Sequence, residues 1–211
     1  MAAEEPTVID NKTLSIDDLI PETTYRHCTL DYSNQDINVQ QVTLDNCTFV
    51  QHDFTKSAWL DCTFIGLDWS NCQFGGSYFT GCTFKDTKLV GADLYNCGII
   101  DLTLTDCLAN YVNFSESIIK GLHASASRLQ ESYWTAVKFT RKIQFAHCDL
   151  TRADFGETKL KNLDFTTSEL AGLRFDWHLA QGMKISPDQA PNLVGMMGIT
   201  VVLKLESWKS R

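Results

Sequence analysis

The sequence predicts a single solenoid built from stacked short repeats. An apolar residue recurs at every fifth position from Val39 to Phe139, a smaller apolar or modestly polar residue stands two positions before it, and no linker interrupts the run. Of the 21 residues at fifth positions, which we call stripe residues, 13 are Leu or Phe and three are Trp. This period matches neither the strand period of about 2 nor the helix period of about 3.6. A unit this short cannot bury its own apolar side, so each unit must stack on its neighbours.

The unit has two inward positions and three outward ones. It is plainest in the triplets Cys62-Thr63-Phe64, Cys82-Thr83-Phe84 and Ala92-Asp93-Leu94, where a polar residue separates two residues that we expect to face inward. The two residues after each stripe residue are mostly polar or small. This arrangement resembles the pentapeptide repeat, whose pattern is A-(D/N)-L-x-x.

The resemblance implies an all-β fold, the right-handed quadrilateral β-helix, in which four units form one coil of about 20 residues and coils stack about 4.8 Å apart. Stripe residues 20 positions apart would then form ladders along the axis. One predicted ladder contains Phe54, Phe74, Leu94, Phe114 and Trp134. We number the four sides of the coil from the stripe residues that begin them, so that face one starts at Val39, face two at Leu44, face three at Phe49 and face four at Phe54.

The phase of the repeat changes twice, and each change predicts a small bulge or loop. After Phe139 the next stripe residue is Phe145, so one extra residue lies within 140–142; near the start, the segment 31–36 must absorb a second shift. We therefore divide the chain into an N-terminal cap segment (1–22), a β-helix (23–185) and a C-terminal helix and tail (186–211).

Composition and charge argue against a membrane-spanning or secreted protein. The net charge is −8, and no apolar run reaches the roughly 18 residues that a membrane span needs. The acidic start, residues 1–6, does not resemble a signal peptide, so we expect a cytoplasmic protein.

The positions of the cysteines and histidines predict structural roles rather than catalytic or metal-binding roles. All eight cysteines precede a stripe residue by two positions and none forms a C-x-x-C pair, which favours buried free thiols over zinc ligands. Cys62 and Cys82 lie one coil apart, within reach of a disulfide, although a reducing cytosol argues against that bond. His52 and His178 also fall on inward positions. No phosphate-binding loop or nucleophile motif is present, so we expect no catalytic residue, no metal, no cofactor and no enzyme.

The C-terminus predicts a helix and a dimer. Ser186 and Gln189 fit a capping box, and Pro187 suits a first helical turn. The apolar residues beyond exceed what one coil end can hide, which favours a homodimer over a simple lid. The predicted dimer interface comprises Leu193, Val194, Met196, Met197 and Ile199.

The C-terminal coils resemble the Qnr-type quinolone-resistance proteins, a branch of the pentapeptide-repeat family. The residues that carry the resemblance are 147–151 (HCDLT), 164–173 (DFTTSELAGL), 182–190 (GMKISPDQA) and 197–199 (MGI). The resemblance implies a dimeric protein that binds DNA gyrase and topoisomerase IV, protects them from fluoroquinolones and mimics duplex DNA, with no direct nucleic-acid or membrane binding. This chain has no large projecting loop in the repeat pattern and is similar to the loop-poor members.

The outward charges agree in sign with DNA mimicry. Assigned by 20-residue coils, negative charge concentrates on faces two and four, which lie opposite each other. The candidate partner-binding residues are Asp45, Asp86 and Asp106 on face two, and Asp53, Asp93, Glu116, Asp154 and Glu157 on face four. Two alternatives stay open: immunity against another gyrase poison of the albicidin or microcin B17 type, and a general protein-interaction scaffold. An ordinary acidic surface would carry a similar charge.

Overall fold

Residues twenty positions apart lie side by side in this protein. In the computed structural model, Tyr78 pairs with Gly98, Gly98 with Ile118 and Ile118 with Lys138, always in parallel. The structure describes residues 7–196 and 198–202. Over these residues the chain forms an all-β solenoid of about eight turns, followed by one C-terminal helix. The predicted fold class is confirmed.

Most strands are short because each spans one side of a coil. In chain order they are β1 (Thr7–Asp10), β2 (Thr13–Ser15), β3 (Thr23–Arg26), β4 (Thr29–Asp31), β5 (Asn38–Gln40), β6 (Val42–Asp45), β7 (Thr48–Phe49), β8 (Ala58–Leu60), β9 (Thr63–Ile65), β10 (Tyr78–Thr80), β11 (Thr83–Lys85), β12 (Gly98–Thr105), β13 (Ile118–Ser125), β14 (Lys138–Ala146), β15 (Asp154–Phe155) and β16 (Arg174–Phe175), followed by helix α1 (Ala190–Met196). Two short 3-10 helices cover Ile16–Asp18 and Trp177–Leu179.

The four faces are not built alike. Faces one and two share an 11-stranded parallel sheet, because β12, β13 and β14 continue around the corner between them. Beyond a small three-stranded sheet of β2, β4 and β7 near the start and the β15–β16 pair, faces three and four are joined by single-residue bridges such as Asp68 to Lys88 and Asp93 to Asn113. Faces one and two are therefore the more regular surfaces of the rod.

Both predicted phase changes are confirmed by the register. Thr23 pairs with Val42, 19 positions on, so the coil that contains segment 31–36 is one residue short. Leu122 pairs with Ile143, 21 positions on, after a register shift that follows Lys120. Parallel pairing between coils begins before residue 23, since Thr7 pairs with Thr23 in a first coil of 16 residues. The division into three segments stays a prediction.

The interior is filled by stripe residues stacked along the axis. The Phe54 and Phe74 rings are stacked with centroids 5.1 Å apart, and those of Phe114 and Trp134 with centroids 4.4 Å apart. Such pairs add about 0.5–1.5 kcal/mol to the free energy that burial supplies. The predicted ladder therefore exists, with Leu94 between its two aromatic segments.

The three stripe tryptophans differ in whether the indole N–H finds an acceptor. Trp59 and Trp134 each donate to the hydroxyl of the serine two positions earlier, over 2.8 Å. Trp69 has Leu67 at that position, and its buried Nε1 has no partner among the described residues. A buried donor without an acceptor costs about 1–3 kcal/mol, which offsets part of the stabilisation that burial of Trp69 supplies.

A left-handed residue stands at nearly every corner of the coil. Two positions after the stripe residue, φ is positive; examples are Asn46 (50°), Asp61 (51°), Asn96 (53°) and Ala126 (49°). Gly, Asn and Asp adopt this conformation at the lowest cost, and they occupy most of the corners. The left-handed conformation thus explains why the residue two positions after a stripe residue is usually polar or small.

The C-terminal helix starts later than predicted. The capping box is half formed, because the Ser186 N–H donates to Gln189 Oε1 over 2.6 Å. Residues 187–189, however, form turns, and α1 begins at Ala190. The Gln189 amide donates to the carbonyl oxygens of Phe165 and Ser168, so it covers the edge of the last coil and is held away from a helical first turn. Neither this helix nor the 3-10 segments could cross a lipid bilayer.

We expect Ala126→Gly to raise the free energy of unfolding by about 0.5–1 kcal/mol, because glycine removes the left-handed strain at this exposed corner. Ala171→Gly is the matched control, since Ala171 is exposed but has no positive φ. There the added freedom of the unfolded chain should lower stability by a similar amount. Urea unfolding measures both. Equal effects of the same sign would contradict the role given to the corner.

Candidate partner-binding surfaces

An open groove of about 580 Å³ lies beside segment 31–36 and is lined by Tyr32, Asp36 and His52, among others. In the ranges 7–196 and 198–202, no group of three or more His, Cys, Asp or Glu side chains is placed to hold a metal ion. The candidate functional features are therefore those of the outer surface.

The inward positions predicted for two histidines are wrong. His52 is exposed, because the buried side chain of this corner is that of Gln51, whose amide accepts from the Ser33 N–H and donates to the Asp53 carbonyl oxygen, each over 2.8 Å. The 19-residue coil brings segment 31–36 close enough to make this contact. His178 is exposed because the coil has already given way to the 3-10 helix Trp177–Leu179.

The eight cysteines are all free and buried, as predicted. Most of their thiols donate hydrogen bonds to the previous coil; the Cys97 thiol, for example, donates to the Phe74 carbonyl oxygen over 3.1 Å. Burial raises the pKa of Cys97 to about 12 and that of Cys107 to about 11. Neutral thiols in this setting are poor nucleophiles and poor metal ligands. Cys62 and Cys82 lie in hydrogen-bonding contact, and burial together with that contact raises the pKa of Cys82.

Three of the predicted partner-binding carboxylates have a structural task. Asp53, Asp93 and Asp154 stand just before a stripe residue, and in each the Oδ1 atom accepts the backbone N–H two positions on, over 2.9–3.1 Å. The Thr55 N–H thereby holds the pKa of Asp53 below its usual value. The sequence analysis missed this contact, although the preference for Asp or Asn in the repeat pattern is the signal for it.

Four other predicted carboxylates stand at corners and project from the edges of the rod. Asp86 and Asp106 lie one coil apart on the edge that follows face two, and Glu116 and Glu157 lie on the edge that follows face four. All four are exposed, and in the described part of the chain none is within ion-pair distance of a cation. Glu116 also contacts the hydroxyl of Tyr95, whose pKa it raises. The structure thus places these charges on diagonally opposite edges.

Ion pairs between coils neutralise much of the remaining charge. Asp45, the eighth candidate, pairs with Arg26 over 3.2 Å, and Asp154 pairs with Arg174 over 3.2 Å. Exposed pairs of this kind contribute at most about 1 kcal/mol to stability, but they reduce the local field. The unpaired negative charge on these candidates is therefore concentrated at the corners.

The predicted dimer residues differ in exposure and fall into a buried or half-buried group and an exposed group. Leu193 is 3% exposed and packs into the core of its own chain, while Val194 is half-buried. Met196 and Ile199 are exposed, at 41% and 52%, and Met197 lies outside the described residues. Exposed Val201 and Val202 extend this apolar surface.

Comparison with known proteins agrees with the repeat and the fold. The family model for pentapeptide repeats matches in eight copies over residues 61–96 and 144–178. The units in these two stretches match the pentapeptide repeat. No curated protein matches this sequence at a significant level.

Two solved structures of QnrB1, described as a plasmid-mediated fluoroquinolone resistance protein, are similar in fold to this β-helix. A trypsin-treated variant has a TM-score of 0.54 at 18% identity, covering 93% of this chain and 98% of its own. The full-length protein has a TM-score of 0.50 at 16% identity, covering 91% and 100%. At these identities the likeness establishes the fold, and the resemblance found in the sequence is confirmed at that level.

The raised thiol pKa values predict a loss of stability at alkaline pH. Unfolded cysteines ionise near pH 9 and the buried ones do not, so the free energy of unfolding should fall as the pH rises above 9. Replacing Cys97 and Cys107 by serine keeps the donor, as Ser77 and Ser117 show in the ladder of Cys97 and Thr87 shows in the ladder of Cys107. We expect the double variant to lose about 1 kcal/mol less per replaced thiol between pH 8 and pH 10, measured by urea unfolding. Identical pH profiles would contradict this account.

Proposed function

We propose that this protein binds DNA gyrase and topoisomerase IV and protects them from fluoroquinolones, without being an enzyme. The observation that carries the proposal is the fold shared with QnrB1 along nearly the whole chain, from the first coil to the C-terminal helix. The acidic edges support it, because a basic DNA-binding surface would attract a rod that carries unpaired carboxylates on opposite sides. A protein with these targets would act in the cytoplasm.

The mode of contact that the charges favour is partial mimicry of duplex DNA. DNA carries one charge per about 1.7 Å, whereas Asp86 and Asp106 are separated by one coil, about 4.8 Å. The rod is therefore a sparse mimic, and its binding should depend on the corner carboxylates more than on total charge. Asp53, Asp93 and Asp154 contribute mainly by holding the backbone in shape.

A gyrase supercoiling assay with ciprofloxacin tests the proposal. We expect the protein to restore supercoiling in the presence of the drug. The variant Asp86→Asn, Asp106→Asn, Glu116→Gln, Glu157→Gln should require at least about tenfold more protein for the same rescue, since each charge contributes a fraction of a kcal/mol to association. Rescue should also weaken as the salt concentration rises.

The control variant removes the same net charge elsewhere. Asp31→Asn, Asp36→Asn, Asp61→Asn and Glu169→Gln change exposed carboxylates outside the two acidic edges, and rescue should be unchanged. Equal loss in both variants would show that only net charge matters. Inhibition without rescue would favour a bare DNA mimic, rescue from albicidin or microcin B17 alone would favour immunity, and no effect on gyrase would leave a general scaffold.

We also propose a homodimer that joins through the C-terminal surface. The support is the exposed apolar group formed by Met196, Ile199, Val201 and Val202 next to a helix that Leu193 anchors to the last coil. Apolar patches of this kind mark association surfaces.

Sedimentation equilibrium checks the dimer. Met196→Glu with Ile199→Glu should convert the dimer to monomer, because two charges buried in an apolar contact cost about 3 kcal/mol or more. The matched change is Val50→Glu with Leu108→Glu, two exposed apolar residues on face three, which should leave the mass unchanged. A monomeric wild-type protein at micromolar concentration would refute the dimer.

A further inference from the structure

Face one of the rod differs in chemistry from the acidic edges. Its outward side chains form two parallel rows, because β8, β10, β12, β13 and β14 pair in register. One row runs Ala58, Tyr78, Gly98, Ile118, Lys138, and the other runs Leu60, Thr80, Ile100, Lys120, Thr140. The residues change from apolar to cationic along the axis. We call these two parts the apolar patch and the lysine patch.

The apolar patch consists of Ala58, Leu60, Tyr78, Ile100 and Ile118, with Thr80 and Gly98 between them. Leu60, Tyr78 and Ile118 are 40%, 63% and 45% exposed. A Cβ atom at Gly98 would stand 2.7 Å from Tyr78 Cδ1, so the tyrosine ring lies over the glycine and covers the next coil. The patch extends over three coil spacings, about 14 Å. Val50 and Tyr133 are also exposed, but they lie on faces three and four.

The lysine patch continues from it without a gap. It consists of Lys120 and Lys138, followed one coil later by Lys159 and Lys161 on the same face. All four side chains are exposed, and in the part of the chain that the structure describes none forms an ion pair. By contrast Lys88, Lys184 and Arg152 pair with carboxylates on neighbouring coils. Four cations within about 10 Å along the axis, without counter-ions, repel one another unless a ligand neutralises them.

We propose that face one is a second docking surface, and that its partner is a protein segment in which apolar side chains lie next to a cluster of carboxylates. The charge complementarity fixes the acidic part of the partner, and the adjoining apolar patch fixes the other part. Tyrosine at the centre of a flat apolar area, with charges at its rim, is the composition of an effective protein interface. The proposal does not rest on the proposed function, since it involves another face and the opposite charge.

The observations favour a protein segment over two other classes of partner. Nucleic-acid phosphates would meet the lysines but leave Leu60 and Ile118 uncovered, and the net charge of −8 opposes them at long range. An anionic membrane would attract the lysines but, being flat and extended, would also meet the carboxylate of Asp61 at the adjacent corner, which is unpaired among the described residues. A protein segment with an apolar part next to an acidic part matches both patches.

Fluorescence anisotropy with defined probes tests the proposal. The probe is a labelled ten-residue peptide with five apolar residues followed by five glutamates, long enough to span both patches. Comparison probes are the same peptide with lysines for glutamates, one with serines for the apolar residues, a 20-base-pair DNA duplex and phosphatidylglycerol vesicles. We expect saturable binding of the first probe only, weaker at high salt.

Substitutions on face one test whether the peptide binds there. Lys138→Glu with Lys159→Glu, and separately Ile118→Ser, should each weaken binding about tenfold or more. The matched controls, Lys12→Glu with Lys85→Glu and Val50→Ser, change exposed residues of the same types on other faces and should leave binding unchanged. A thermal melt shows that each variant is folded, and gyrase rescue by the face-one variants should be unaltered. Absence of saturable binding up to about 1 mM, equal loss in the controls, or preference for DNA or vesicles would each overturn the proposal.

Discussion

Every coil of this protein must turn four corners, and nearly every corner requires a backbone conformation that L-amino acids disfavour. The cost is met by the choice of residue at the corner, where Gly, Asn and Asp predominate, and by the backbone bonds that each coil makes to the next. Because the turn recurs after five residues, the side chain two positions before a stripe residue usually points inward, with His52 and His178 as exceptions. The filled core, the ladders and the regular faces all follow from that turn.

The period of the repeat was sufficient to predict both irregular coils, and its resemblance to the pentapeptide repeat implied the fold and the coil length. It was less informative about which polar side chains have structural tasks. Asp53 and Asp154 were predicted from charge alone, yet each is engaged with its own backbone. Gln51 replaces His52 in the interior because of a contact with segment 31–36, which no local pattern shows. The start of α1 was misplaced for a similar reason, since Gln189 is held by the carbonyl oxygens of the last coil.

The surface divides into regions of different chemistry because core and exterior alternate along the chain. A stripe residue cannot change without disturbing its ladder, whereas the outward residues beside it are free to vary. Carboxylates at the corners are held apart by the corner spacing, and the lysines of face one are held together by the strand register. The candidate binding residues could therefore be assigned to faces from the sequence, but their pairing with cations could not, because the ion pairs join residues about 20 or more positions apart.

The register of twenty has a consequence for how such a protein changes over evolutionary time. Gain or loss of one whole coil moves every surface group beyond it by a single fixed step along the axis, without rotating it to another side. The axial distance between two charged groups on the same face therefore changes only in steps of one coil spacing. A partner that reads two separated groups on the rod can tolerate a new length only when that length differs by whole turns of the spiral, so selection on binding also selects chain length in units of four repeats.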